Sequence, residues 1–204
     1  SGVLAVLYLA FNEGYSVVAH TSIADEAIRV TRALAQLMPG ESEVTGLLAL
    51  MLLQHSRRRA RLDPGAVPLT LEEQDRSLWD AAAIAEAGEL LNGAGRRAEP
   101  GPYQLQAAIA SVHATADSAA ATNWQTIVAL YDRLLAVTPS PIVELNRAVA
   151  VGMASGPEVG LAALERVAAS GALDGYYLLP AARADLFRRL GEYSTAASFY
   201  RIAL

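Results

Sequence analysis

Apolar residues recur every three or four positions along almost the whole chain, and no stretch alternates apolar with polar residues long enough to make a strand. That pattern confines the chain to helices, each burying one stripe against a neighbour. Ten helices are predicted, at about 3–12, 23–37, 43–57, 71–92, 102–115, 123–137, 141–154, 157–169, 174–190 and 193–204. Thr70-Leu-Glu-Glu73 and Thr122-Asn-Trp-Gln125 read as capping boxes. Ser140-Pro141 and Gly156-Pro157 put proline at the first helical position, where its missing N–H costs nothing. Gly14 and Gly191 suit the left-handed residue that ends a helix. Connections are mostly short, so neighbouring helices are expected to run antiparallel. Two are longer: 58–69, with Asp63-Pro-Gly65 and Pro68, and 92–101, with Gly93, Gly95, Pro100 and Gly101, a candidate boundary between subdomains.

The last stretch carries a repeat signature. In Leu190-Gly-Glu-Tyr-Ser-Thr-Ala-Ala-Ser-Phe-Tyr-Arg-Ile-Ala-Leu204, Gly191, Ala196, Tyr200 and Ala203 match tetratricopeptide spacing. The glycine permits the turn, the alanines let two helices approach, and the tyrosine is expected to fill the gap beside them. Ala184 and Phe187 fit the preceding helix of the same unit, and Ala150, Ala162 and Ala169 fit one unit earlier more loosely. The fold class expected is all-α, with antiparallel helix pairs in a tetratricopeptide-like (TPR) right-handed superhelix. One domain over 1–204 is expected, with related helical pairs over 1–139 and TPR-like pairs over 140–204.

Composition excludes several functions. Hydrophobic residues make up 53% and charged residues 18%, a globular balance. Cysteine is absent, which removes disulfides and thiolate metal sites. All 16 basic residues are arginine, and the net charge of −5 argues against general nucleic-acid binding. No apolar run is long enough to span a membrane, and Ser1–Tyr8 lacks the basic flank of a signal peptide, so a cytoplasmic protein is expected. There is no P-loop, G-x-S-x-G, H-E-x-x-H or dinucleotide fingerprint, and His20, His55 and His113 are scattered. The chain is therefore read as a non-enzyme without cofactor or metal. A start without Met inside an apolar helix pattern, and an end inside another helix, are what a piece of a longer protein would show.

Polar residues that interrupt the apolar pattern are the candidate site. On helix 102–115, Leu105, Ala108, Ile109 and Val112 form a stripe, and Tyr103, Gln106, Ala110 and His113 share the opposite face, either solvated or the wall of a groove. Asp75 borders the stripe of Leu71, Leu78 and Ala82, with Trp79 one turn on. An acid there needs a partner, from Arg57, Arg58, Arg59, Arg61 or Arg147, and a structural ion pair is favoured over a ligand contact. Helix 141–154 is apolar nearly all round, so Asn146 and Arg147 break a buried surface, with Asn146 as a structural tie. Asn12 and Gly14 suit a helix end, whereas Glu13 opposes the helix dipole. Arg57-Arg58-Arg59-Ala-Arg61 ends an apolar helix, as solvated capping charge or as a patch for an acidic protein surface or a phosphate.

These interruptions fall within longer motifs. Tyr8-Leu-Ala-Phe-Asn-Glu-Gly-Tyr15, Leu48-Ala-Leu-Met-Leu-Leu53, Gln74-Asp-Arg-Ser-Leu-Trp-Asp80, Gly101-Pro-Tyr-Gln-Leu-Gln-Ala-Ala-Ile-Ala110 and Pro139-Ser-Pro-Ile-Val-Glu-Leu-Asn-Arg-Ala-Val-Ala150 occur in order along the chain. They resemble the C-terminal TPR-like extension of extracytoplasmic-function (ECF) RNA polymerase sigma factors, the group whose genes neighbour DGPF-type, YCII-related proteins. The resemblance implies a regulatory or protein-interaction domain that modulates transcription initiation by contact with its own sigma domains in cis, core RNA polymerase or a partner protein. The other reading is a small-molecule sensor whose polar pocket gathers Asn12, Glu13, Asp75, Gln106 and His113. The motifs add Tyr15, Arg76 and Gln104 to the candidate partner- or ligand-binding residues. In the family, the sigma domains precede the segment resembling Val3–Tyr15 and are missing here, so direct promoter binding is not expected. The linker Arg59–Leu71 is variable in composition, so the resemblance carries over its Arg and Asp residues less securely.

Overall fold

The computed structural model describes residues 2–16, 21–94 and 99–204, with the backbone alone for Tyr15, Ser16, Thr21 and Ala94. His20 and Gly95 lie outside the described residues, as does the side chain of Tyr15. The described residues form ten α-helices: α1 Gly2–Ser16, α2 Thr21–Leu37, α3 Ser42–His55, α4 Ala81–Ala94, α5 Pro102–Thr115, α6 Trp124–Val137, α7 Pro141–Ser155, α8 Pro157–Ala168, α9 Leu178–Arg189 and α10 Tyr193–Ala203. Among these residues the only extended pairing is an isolated bridge between Leu62 and Pro68. The fold is all-α, and its successive packed pairs are those of a TPR-like arrangement. The chain divides into two compact units, Ser1–Thr122 and Asn123–Leu204. The candidate boundary at 92–101 falls between α4 and α5, both of them in the first unit, and its residues 95–98 lie outside the described residues.

In the first unit α3 is the hub. Its Leu47-Leu-Ala-Leu-Met-Leu-Leu53 run has no polar face, and every one of those side chains is buried. Helices α1, α2, α4 and α5 all pack on it. Helix α1 contributes Leu4 and Phe11, and α2 contributes Ala24, Ala27 and Ile28. The helix runs through Gly14 to Ser16, and Gly14 is not the left-handed stop the sequence suggested. Gly14 is buried instead.

The predicted helix 71–92 is shorter. The Glu73 carboxylate does reach back to the Thr70 N–H, at 2.9 Å, but the turn it closes goes no further. Asp75 then caps a 3-10 turn, Arg76–Leu78, Trp79 is extended, and Asp80 caps α4 by accepting from the Ala83 N–H at 3.0 Å. Three local caps in eleven residues divide what periodicity alone reads as one helix.

In the second unit consecutive helices pack in chain order from α6 to α10. Asn123, not Thr122, caps α6, accepting from the Thr126 N–H at 3.0 Å, while Thr122 is buried. Pro141 and Pro157 open α7 and α8 as their sequence context predicts. Helices α7 and α8 cross at Gly152 and Gly160: a Cβ on Gly160 would lie 2.5 Å from the Gly152 Cα. Leu186 of α9, fully buried, covers the crossing. Gly191 takes the left-handed conformation expected of it (φ +81°), and Ala184 and Ala196 are buried. The aromatic partner differs from expectation. Phe199 stacks on Phe187 at 5.5 Å, whereas Tyr200 is exposed.

Candidate functional site

Three of the sequence candidates meet at the segment between α3 and α4. The Arg76 guanidinium lies 4.4 Å from the centre of the Trp79 ring. It also donates to the His113 and Ala116 carbonyls, at 2.7 and 3.0 Å, satisfying the open end of α5 as a cation at a helix C-terminus should. Trp79 is 7% exposed and its Nε1 has no hydrogen-bond partner. Arg57 also faces the Trp79 ring, at 6.0 Å. The His113 imidazole is pushed down to about 4, first by burial and then by the charges of Arg57 and Arg76. The Asp80 N–H donates to the Ser56 carbonyl at 2.9 Å, closing the segment at its base. Between its two ends lies a cleft of about 290 Å³, lined by Ser56, Arg58, Arg59, Ser77, Leu78, Trp79 and Asp80.

Asp75 is not the half-buried ion-pair partner that its place in the pattern implies. It is exposed and accepts from the Ser77 N–H at 2.9 Å. Its bonds to Ser77, side chain first and then backbone, hold the carboxyl below its ordinary value. Residues 70–80 are not one continuous helix, so Asp75 borders no helical stripe.

Tyr103 and Gln104 join around a residue not singled out from the sequence. The Glu43 carboxylate, on the first turn of α3, accepts from the backbone N–H of Tyr103 at 2.9 Å and of Gln104 at 3.1 Å. It also receives the Gln104 side-chain amide at 3.3 Å. An anion at a helix N-terminus is favourable, and this one comes from another helix. Gly101 and Gly46 make room: a Cβ on Gly101 would lie 2.5 Å from the Glu43 carboxyl carbon, and one on Gly46 would lie 2.7 Å from the Gln104 backbone nitrogen. Tyr103 meets Tyr8 edge-on at 5.8 Å. Burial, then the nearby Tyr8 and Glu43, raise its phenol pKa. Gln106 donates to the Pro102 carbonyl of its own helix at 3.2 Å.

The remaining candidates lie apart. Asn12 is half-buried and Glu13 exposed at the end of α1. Asn146 is exposed, so it does not tie buried helices together. Arg147 pairs with Asp132 of α6, and both line a cleft of about 390 Å³ with Glu144, Ala163 and Arg166. A cleft of about 410 Å³ between α2, α3 and α4 is lined by Arg32, Thr45, Leu48, Glu86, Glu89 and Leu90, with Arg32 and Glu86 paired at 2.9 Å. None of these three clefts is lined by Asn12, Glu13, Asp75, Gln106 or His113. No group of three acidic or histidine side chains able to hold a metal ion occurs among the described residues.

Helix α1 has a further feature. Leu4, Leu7, Tyr8 and Phe11 pack on the core, while Val6 and Leu9 on the opposite side are 64% and 67% exposed. Val3, at the edge of that face, is 62% exposed. Among the described residues, no helix is long and apolar enough to cross a membrane.

A family model described as a family of unknown function (DUF6596) matches residues 1–95, which hold α1 to α4 and the whole lining of the 290 Å³ cleft. The chain is also 44% identical, over 209 aligned residues, to an uncharacterized protein of Rhizobium meliloti (strain 1021). That alignment covers 100% of this chain and 49% of the relative, so the chain spans about half the length of the curated relative it matches. No solved structure matches it.

Proposed function

We propose that this chain is a protein-interaction module of an ECF-type sigma factor, and that it works by packing the outer face of α1 onto the sigma domains of the same polypeptide. The observation that carries this reading is the row of Val3, Val6 and Leu9, apolar side chains left in water on a helix whose other side is core. Burying apolar surface yields about 25 cal/mol per Å², so such a face is a ready docking surface. The curated relative is twice as long as the alignment, which leaves room for further domains. The resemblance of Tyr8–Tyr15 and the later motifs to the sigma-factor extension supports this reading, since it implies sigma domains preceding α1. The net charge of −5 adds electrostatic complementarity to domains that carry basic DNA-binding surfaces. None of the three clefts described is lined by Asp75, Gln106 or His113, which favours docking over a shared sensor pocket.

The test uses the full-length factor with core polymerase in promoter-directed transcription. Deleting residues 1–204 is expected to lower transcription strongly without loss of expression, and the pair Val6→Glu and Leu9→Glu in the intact factor is expected to reproduce much of that loss. Unchanged transcription after the deletion would remove the regulatory reading. A full effect of the deletion with none from the α1 pair would remove the docking face. The isolated chain is expected to give no specific mobility shift with promoter DNA at physiological salt.

A further inference from the structure

We propose that the cleft between the Arg57–Arg61 turn and the Arg76–Leu78 turn binds a small phosphate-bearing anion, with Arg58 and Arg59 supplying the charge and Trp79 the wall. This inference does not depend on the docking face of α1. Its first support is an imbalance of charge. Arg58 and Arg59 line the cleft, are exposed, and have no ion-pair partner among the described residues. Arg76 adds a further guanidinium against the Trp79 ring, its bonds to the His113 and Ala116 carbonyls leaving its charge in place. The lining carries a single carboxylate, Asp80, whose Oδ1 is engaged in capping α4.

The second support is what the local field does to its neighbours. His55 is held below its ordinary pKa by burial first and by the Arg58 charge second, although Asp25 and Asp80 pull the other way. Its Nε2 lies 3.0 Å from Asp25 Oδ1, the carboxylate that pulls harder of the two. Two histidines on different helices, His55 and His113, are thus both lowered in part by arginine charge, from Arg58 at one and from Arg57 and Arg76 at the other. Size is the third support. A volume of about 290 Å³ lies at the bottom of the range of ligand sites, which suits a small anion and excludes a bulky one. Guanidinium forks match phosphate oxygens in geometry as well as charge, and the Ser56 and Ser77 hydroxyls sit in the same lining.

Inorganic pyrophosphate is the probe, titrated into the full-length factor and into this chain, against sodium chloride at matched ionic strength. The expected result is a saturable rise in thermal midpoint, together with an upward shift of the His55 titration followed by NMR, because bound anion offsets the Arg58 charge. Arg58→Gln with Arg59→Gln is expected to weaken the apparent affinity at least about tenfold, the loss of one charge-assisted contact or more. Both residues are exposed, and an unchanged far-UV circular dichroism spectrum verifies the fold of the variant. Arg29→Gln, remote on α2, is expected to bind as the parent does. A response that does not saturate, that chloride matches, or that the double variant retains would overturn the proposal.

Discussion

In Ser1–Thr122 helices are joined by side chains that reach across the chain, whereas in Asn123–Leu204 they are joined by the close approach of small residues. Glu43 caps α5 from sixty residues away, and Arg76 closes the other end of that helix. Among the described residues, four buried side-chain atoms of the first unit lack a hydrogen-bond partner, Gln54 Oε1, His55 Nε2, Gln74 Oε1 and Trp79 Nε1, against Arg183 Nε in the second. The second unit relies on Gly152 against Gly160, on buried Ala184 and Ala196, and on ion pairs such as Arg183–Glu165 at 2.9 Å. Repeat packing needs only shape, so polar groups can stay outside. A hub helix enclosed by four others brings polar groups inward, where each must be satisfied by something distant.

The largest expected effect lies at the glycine crossing. Gly160→Val puts side-chain carbon into the Gly152 backbone and is expected to cost more than about 3 kcal/mol. Circular dichroism melting is expected to show an early step, with the NMR signals of the first unit preserved. Loss of both units together would make the contrast between them one of description only.

Acid probes the first unit. His113 titrates at about 4 in the fold and near 6.5 when unfolded, so the unfolded chain binds more protons between those values. Stability is full above pH 6.5 and falls as the pH drops towards 4, by about 3 kcal/mol for a group shifted this far. His55, also lowered, adds to the loss in the same direction. Urea melts across that range check it, and His113→Gln is expected to flatten the slope.

Glu43→Ala is expected to cost about 2 kcal/mol, since it strips two backbone donors and the buried Gln104 amide of their acceptor. Glu144→Ala, on the exposed first turn of α7, is expected to cost less than about 0.5 kcal/mol. Equal melting temperatures for the two would deny the first unit its dependence on long-range polar contacts. The smallest effects are expected at Asp75→Ala, a slight drop in melting temperature through loss of one exposed cap, and at Asn146→Ala, within about 0.5 kcal/mol.

The sequence by itself determined the helical class, the prolines opening α7 and α8, the left-handed Gly191 and the pairing of α9 with α10. All of these rest on the helical period and on turn chemistry, which act over a few residues. It also marked Trp79 and His113, which border or face an apolar stripe, and Arg76, through the longer motif that holds it. Only the tertiary structure decided that these three meet, that Glu43 serves α5, that Asp75 is exposed and that the outer face of α1 is left apolar. At Thr70, Asp75 and Asp80 all three local signals form their caps, and the burial of Trp79 together with the reach of Arg76 to α5 holds the segment they divide. A contact between residues 43 and 103 leaves no periodic trace in a single sequence, since it depends on which helices pack and in what register.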